Sequence, residues 1–480
     1  MKTGMLEHGV IRWTNGATMP FDTPQIALNN IMHSGDEKHV IYSCGIDPLL
    51  PFIRHVVSAF PHDPNHSGLS WDSIVTTNGK YYSFELTLSK KKRFLFYDIR
   101  NILHSTYEDI LKSYGTFNSA LLELERLGLQ RVTAGSAAMH DFRDGRGPWY
   151  ADKFPRLSDE QKTDMRSGYI GGYMKAESGE YGDVLDLDIN SMYPWILHDQ
   201  WLPYGEPEEY FGEYVEDNDM PLHCDIMTFR ADLKPNGFPF LTDGMMQFDA
   251  EKRMESTRGF ITQCLTDIDQ QLLYENYNVT LFEHVKGYKF RRSKGMFYSY
   301  VNEWYDMKKN AHGARRELAK IMLNSLVGKM AALNRGYGLL PEIDADGALT
   351  WQPYHRKQSN FSTDYLPVPM WVNAYARKEL LRAARLNSHR LIYANTDGLM
   401  LTGHDAPNGI TIDDSELGAW KVSGRFVKVV ILGINRFQAQ DENGGVRLVH
   451  SGSSITGPIP WERYRSGMSV VDADGDTVVL

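Results

Sequence analysis

The chain has 480 residues, 23% of them charged and 12% aromatic, and a formal net charge of −10. That length supports roughly two to four subdomains around at least one large core, and the acidic balance argues against coating nucleic acid by bulk charge. Cys44, Cys224 and Cys264 are far apart, which excludes a disulfide framework or a paired zinc site and points to a reducing compartment.

In chain order, residues 1–140 alternate strand-like runs (HVIYSC, YYSFELTL, RFLFYDI) with helix-like ones (LLPFIRHVVSAF, FNSALLELERLGL), an α/β pattern. The N-terminal MKTGMLEHGVIRW has no signal-peptide apolar core, and no run in the chain approaches the ~18 apolar residues that span a bilayer. The polar, Gly-rich HDFRDGRGPWYADKFPRLSDEQ is expected to be a linker. GDVLDLDINSMYPWIL then reads as a strand that ends in a turn and enters a helix. Residues 200–295 are expected to hold short strands and Gly/Pro turns. GMFYSYVNEWYDMKKNAHGARRELAKIMLNSLVGKM carries apolar residues at helical spacing in two parts, broken near Gly313. A turn-rich segment runs to residue 362, and the helix MWVNAYARKELLRAARL leads into RLIYANTDGLML. There β-branched and aromatic residues lead in, and Asn, Asp and Gly make a hairpin bend. The tail is expected to mix short strands and loops.

Two acids stand out chemically. Asp188 ends an apolar strand, and Asp397 lies on the hairpin turn. Nucleotidyl transfer uses two divalent ions about 3.5–4 Å apart, and hard carboxylate oxygens suit Mg²⁺. Either acid alone reads as a turn former or a helix cap. The basic groups cluster at KKKR, KFRRSK, KK and RR, each by itself a solvated face. Lys308, Arg316 and Lys320, spaced by eight and then four residues, are expected along one side of a helix whose other side (Leu318, Ile321, Met322) can bury. Such a row of cations suits a triphosphate.

Taken together, DINSMYP (188–194), KIMLNSLVGK (320–329) and YANTDG (393–398) resemble, in order and approximate spacing, the three polymerase motifs of family B DNA polymerases. Those motifs run Asp-x-x-Ser-Leu-Tyr-Pro, Lys-x-x-x-Asn-Ser-x-Tyr-Gly and Tyr-x-Asp-Thr-Asp-Ser. The chain is most similar to the protein-primed branch of bacteriophages and linear plasmids, with further matches at RVTAGS, YIGG, LPYGEP, GALTW and LGAW. The resemblance implies an α+β and α/β multidomain fold: a right-hand polymerase with palm, fingers and thumb, preceded by a shortened ribonuclease-H-like exonuclease-type domain. It implies an exonuclease-like domain over 1–140 and a linker with the first part of the palm over 141–199. A first insertion follows over 200–295, fingers over 296–331, a second insertion over 332–362, the rest of the palm over 363–430 and a thumb over 431–480. Asp188 and Asp397 would be catalytic, and Asp188, Asp397 and Asn395 would be the metal-binding residues, for two Mg²⁺ ions that Mn²⁺ can replace. Lys308, Arg316, Lys320, Tyr193, Asn324, Ser191 and Met192 would contact the nucleotide, Tyr193 as the gate against a 2′-hydroxyl. Tyr169, Gly171, Gly172, Thr396, Gly328 and Arg436 would contact DNA. Implied partners are template–primer DNA, deoxynucleoside triphosphates and a terminal priming protein, for a monomer working off the membrane in the cytoplasm of a host cell.

The chain departs from the family in telling places. Asn395 stands where the third motif has its first acid, and Val327 where the second motif has Tyr. INRFQA (434–439) stands where the family has Lys-x-Tyr, with Asn435 at the lysine position and Arg436 next to it. No Asp-x-Glu occurs before residue 40 and no Tyr-x-x-x-Asp between 80 and 150, Ser113 falling near the expected acid, so only Asp47 is left of four exonuclease carboxylates. The expectation is a viral template-directed DNA polymerase without 3′→5′ proofreading. The alternative is a catalytically weak or inactive polymerase-like DNA-binding protein of a replication complex.

Overall fold

The computed structural model describes residues 2–7, 9–35, 37–65, 68–76, 80–103, 117–144, 146–242, 253–332, 337–355, 365–451, 455, 457–471 and 477–480. They form two compact units, one from Met1–Tyr150 and Asn302–Asp364, the other from Ala151–Val301 and Tyr365–Leu480.

The first unit is built on a nine-stranded sheet. Arg93–Asp98 lies at its centre, parallel to Lys38–Ser43, which is in turn parallel to Lys2–Glu7, and Lys2–Glu7 pairs antiparallel with Val10–Trp13. Three antiparallel strands followed by parallel ones is the pattern of the expected ribonuclease-H-like sheet. Near-continuous apolar runs such as FLFY make these strands, because both of their faces are covered. An aromatic core of Phe21, Phe52, Phe84 and Phe96 fills the space under helix Leu50–Ala59. The segment expected to be turn-rich before residue 362 is instead a hairpin, Tyr337–Ile343 with Leu349–His355, closed at Gly347 with φ +76°. It joins the sheet edge through Leu339 opposite Val75.

Helix Ala314–Met330 belongs to this unit and buries Leu318, Met322, Leu323, Leu326 and Val327. It packs closely on helix Ala134–Arg143, where a Cβ on Gly135 would come within 3.1 Å of Lys329 Cβ. RVTAGS is the reciprocal cap of that second helix: Thr133 and Ser136 each satisfy the other's backbone N–H.

The second unit carries an eight-stranded sheet. Val446–His450, Arg436–Asp441, Trp420–Gly433, Val184–Ile189, Gly398–Thr402, Leu391–Asn395 and Met174–Ala176 lie side by side in that order. Helix Pro367–Leu386 is buried along most of its length, so its apolar residues are not confined to one stripe. A separate four-stranded sheet holds Leu202–Phe211, Leu222–Leu233, Ile261–Thr266 and Tyr277–Ser293.

Four expectations need correction. The supposed linker holds two further helices, Gly147–Lys153 and Asp159–Arg166, and the second opens on a Ser158/Gln161 capping box. Its polarity is that of exposed helix faces, so composition misled where the cap signal was present. Residues 200–295 hold, besides the six-residue strand Ile261–Thr266, long strands of 10, 12 and 17 residues. The tail includes the 14-residue strand Trp420–Gly433, which passes beside Asp188. Lys308 sits on helix Tyr298–Asn310, apart from Arg316 and Lys320 on Ala314–Met330, because Gly313 at φ +57° ends the run between them. The three cations therefore do not share one helix side.

Candidate active site

Strand Val184–Ile189 pairs antiparallel with Gly398–Thr402 on one side and Trp420–Gly433 on the other. The register sets Asp188 opposite Gly398 and Lys421, so Asp188 lies next to the turn that bears Asp397. A Cβ on Gly398 would lie 2.9 Å from the Leu187 carbonyl oxygen and 3.9 Å from Asp188 Oδ1, which is why a glycine follows Asp397. The hairpin expected from YANTDG is present, with Thr396 at φ +55° in its two-residue bend. Ile189 N–H donates to the Asp397 carbonyl at 2.9 Å, tying the turn to the central strand.

Burial and the neighbouring Asp188 push the Asp397 carboxyl up to about 7. Asp188 itself is half-buried and takes Lys421 Nζ at 2.6 Å. A third acid, Asp186, shares the strand face of Asp188, being two residues earlier. Burial raises it to about 6, although Arg447 binds it at 2.9 Å and opposes the shift. Asp186, Lys421 and Arg447 were missed in the sequence. The Asp-Leu-Asp alternation was a signal for the first, whereas the two cations come from strands more than two hundred residues away. Among the described residues, no group of three or more His, Cys, Asp or Glu side chains is placed to hold one metal ion.

The loop YIGG is bolted in place behind this turn. Arg377 and Asp269, both fully buried, form a two-pronged ion pair at 2.6 and 2.7 Å. The remaining arm of Arg377 donates to the carbonyls of Ile170 and Gly171. Asn373 Nδ2 also donates to Ile170 at 3.0 Å, and Arg253 to the Gly172 carbonyl. Gly172 then lies against Thr396, where an added Cβ would be 3.0 Å from Thr396 Cα, and Thr396 N–H donates to Tyr173 at 2.9 Å. A side chain at Gly172 would press on the bend that carries Asp397.

Ser191, at φ +50°, begins helix Met192–Asp199, and Met192 is buried. Burial raises the Tyr193 phenol, with Tyr169 and Asp397 adding to the effect, so Tyr193 lies near both. The LGAW stretch packs beneath this helix: Gly418, at φ +82°, sits where any Cβ would run into the Trp195 ring. Asn395 ends its strand, and Arg436 begins the next strand beyond Asn435. In the first unit, Arg316, Lys320, Asn324 and Gly328 fall at four-residue steps on the exposed face of their helix. Lys308 Nζ lies 5.6 Å over the Tyr305 ring. Val327 is buried inside the unit.

Among the described residues of the first unit, no group of three or more His, Cys, Asp or Glu side chains is placed to hold a metal ion. Asp47 is exposed at the start of a short 3₁₀ turn. The buried Asp98 is gripped by Arg100, with Nη2 at 2.7 Å and Nε at 3.0 Å. Ser113 lies outside the described residues.

Two outcomes follow from these geometries. Because the raised Asp397 favours the fold only while protonated, its contribution is complete below the ordinary carboxylate range, declines as pH rises and is lost above about 7. In metal-free buffer, Asp397→Asn should therefore melt higher than wild type at pH 8, and the gap should close towards pH 4; calorimetry across that range checks it. Asp269→Asn leaves Arg377 buried without its counter-charge and should cost roughly 3–5 kcal/mol in urea unfolding.

The family model for DNA polymerase type B, organellar and viral, matches residues 95–415. The DNA polymerase of Bacillus phage phi29 is 32% identical over 322 residues, 65% of this chain and 56% of that relative. The DNA polymerase of Streptococcus phage Cp-1 is 27% identical over 373 residues, 74% of this chain and 62% of the relative. The chain thus spans between about half and two thirds of the length of these relatives in sequence. A solved structure of phi29 DNA polymerase with primer-template DNA and incoming nucleotide substrates superposes at a TM-score of 0.85 and 22% identity, covering 100% of this chain and 98% of that one. The fold is accordingly that of a right-hand polymerase with an exonuclease-type domain. By the family model, which covers most of its length, this chain belongs to the type B DNA polymerases, organellar and viral.

Proposed function

We propose that the chain is a template-directed viral DNA polymerase that adds deoxynucleotides to a primer 3′-hydroxyl and lacks 3′→5′ proofreading. The observation that carries this is the strand register that sets Asp188 opposite Gly398, next to the turn bearing Asp397, whose carboxyl is pushed up to about 7 by burial first and by Asp188 second. Crowded hard oxygens of this kind fit divalent cations, Mg²⁺ foremost and Mn²⁺ in its place. When bound, two such ions activate the attacking hydroxyl and neutralise charge on the triphosphate.

The chain's own groups have the remaining tasks. Asp188 and Asp397 would hold the ions, Asp188 being paired with Lys421 in their absence. Tyr193, close to Tyr169 and Asp397, excludes a 2′-hydroxyl, and Ser191 and Met192 shape the adjoining nucleotide pocket. Arg316, Lys320 and Lys308 neutralise the triphosphate, and Asn324 and Gly328 border the new base pair on the same exposed helix face. The 169–172 loop, Thr396 and Arg436 guide DNA. The phi29 enzyme's complex with primer-template DNA and nucleotides supports those same partners here. A terminal priming protein, action as a monomer and residence in the host cytoplasm complete the proposal. No described helix is long and apolar enough to cross a membrane. The expected palm, fingers, thumb and insertion boundaries are carried into it unchanged.

Template–primer extension with Mg²⁺ or Mn²⁺ is the test. Wild type should extend, whereas Asp188→Ala and Asp397→Ala should each lose at least about a hundredfold while still binding primer-template. Extension by either variant within tenfold of wild type would remove the two-metal assignment, and a wild type inert with both ions would favour a DNA-binding protein without catalysis. End-labelled single-stranded DNA should remain intact with either ion, because Asp98 is committed to Arg100 and, among the described residues, no group of three or more metal-binding side chains is placed together. Degradation abolished by Asp47→Ala would restore an exonuclease site.

A further inference from the structure

Asn395 and Asn435 are forty residues apart, and each departs from the motif that surrounds it. Their side chains meet. Asn395 Nδ2 donates to Asn435 Oδ1 at 2.6 Å. The other end of the Asn395 amide is also engaged, since Thr396 Oγ1 donates to Asn395 Oδ1 at 3.1 Å. The Tyr393 hydroxyl closes the group, accepting from Asn435 N–H at 3.0 Å.

Both partners sit at chain reversals. Asn395 enters the bend whose next residue, Thr396, is at φ +55°, and Asn435 is itself at φ +53° between Trp420–Gly433 and Arg436–Asp441. Asparagine tolerates that left-handed conformation better than most residues. The contact therefore joins two turns of one sheet, one of which presents Asp397. Ser451 N–H donates to the Asn435 carbonyl at 2.9 Å, so the second turn is itself anchored.

We propose that Asn395 and Asn435 form a single uncharged positioning unit that fixes the turn bearing Asp397, and that Asn395 is not a metal ligand. The proposal rests on the polymerase assignment above for its catalytic consequence only. Chemistry makes the two residues complementary. A carboxylate at 395 would oppose the Asn435 side-chain oxygen, acceptor against acceptor, and could be met only by turning that amide over with its charge left uncompensated, whereas an acid at 395 with a lysine at 435 would suit each other. The residues the family motifs place at these positions are an acid and a lysine, so this chain has a neutral residue at both positions, with the same net charge over the two. Each change alone would strand its partner; both together leave the turn held.

The test is a double-mutant cycle of Asn395→Asp, Asn435→Lys and the double variant. Readouts are the melting temperature in EDTA at low and high salt, and the Mg²⁺ dependence of primer extension. Each single variant should melt lower and extend at least about tenfold more slowly, and the double variant should recover well beyond the product of the singles, by about fivefold or more. The double variant's melting temperature should also become salt-sensitive, because an ion pair replaces a neutral contact. Independent effects in both readouts would overturn the proposal. So would an Asn395→Asp variant that melts like wild type and reaches half-maximal extension at lower Mg²⁺, which would put residue 395 on the metal. Since the EDTA melts need no catalysis, an inert wild type would count against the polymerase assignment and leave the pair still judged by its coupling.

Discussion

The candidate site depends on the register of one strand. Val184–Ile189 is held antiparallel on both sides, and that pairing alone puts Asp188 beside a turn some two hundred residues later in the chain. Side chains alternate with a period of two, so a slip of one residue would carry Asp188 and Asp186 to the opposite face. The apolar residues between and around them, Val184, Leu185, Leu187 and Ile189, are all buried, which makes such a slip costly. Hydrophobic burial thus fixes the position of charges that would otherwise repel one another.

The site is accordingly under tension. Asp397 and Asp186 are both raised by burial, and Asp188 adds to the strain on each. Arg447 and Lys421 relieve part of it. The remainder is borne by a rigid surround, above all the Arg377–Asp269 pair. Replacing a buried ion pair with apolar groups is often neutral or stabilising, so this pair is better explained by what it holds than by stability. Arg377 supplies donors to the Ile170 and Gly171 carbonyls, which a hydrocarbon could not satisfy, and the loop they belong to abuts Thr396. Because Asp269 lies on helix Asp267–Asn276, the segment of residues 200–295 is bound through this pair to the loop that abuts the hairpin bearing Asp397.

In the first unit the balance runs the other way. Its central strand carries Arg-Phe-Leu-Phe-Tyr-Asp, and the core beneath is a cluster of phenylalanines with the Trp71 ring stacked on Phe84. Its buried acid Asp98 is neutralised internally. Such a sheet pays little for charge and serves well as scaffold, and the hairpin Tyr337–Ile343 and Leu349–His355 extends it without adding an acidic cluster.

The sequence by itself determined the elements with strong local signals. The Asn-Thr-Asp-Gly bend, the strand ending at Asp188, the helix break at Gly313 and the buried helix Pro367–Leu386 were all legible, because turn chemistry and apolar periodicity act over a few residues. The three ordered motifs also carried the family. Signals that composition obscured were missed: the capped helices inside a polar stretch, and long strands in an insert full of Gly and Pro. What only the tertiary structure decided are the partnerships across distance. Asn395 and Asn435 looked like two separate losses in the sequence, and Arg377, Asp269, Lys421 and Arg447 carried no local mark at all. A hydrogen bond or ion pair between strands depends on register and on which faces meet, and neither is written in the neighbourhood of either residue.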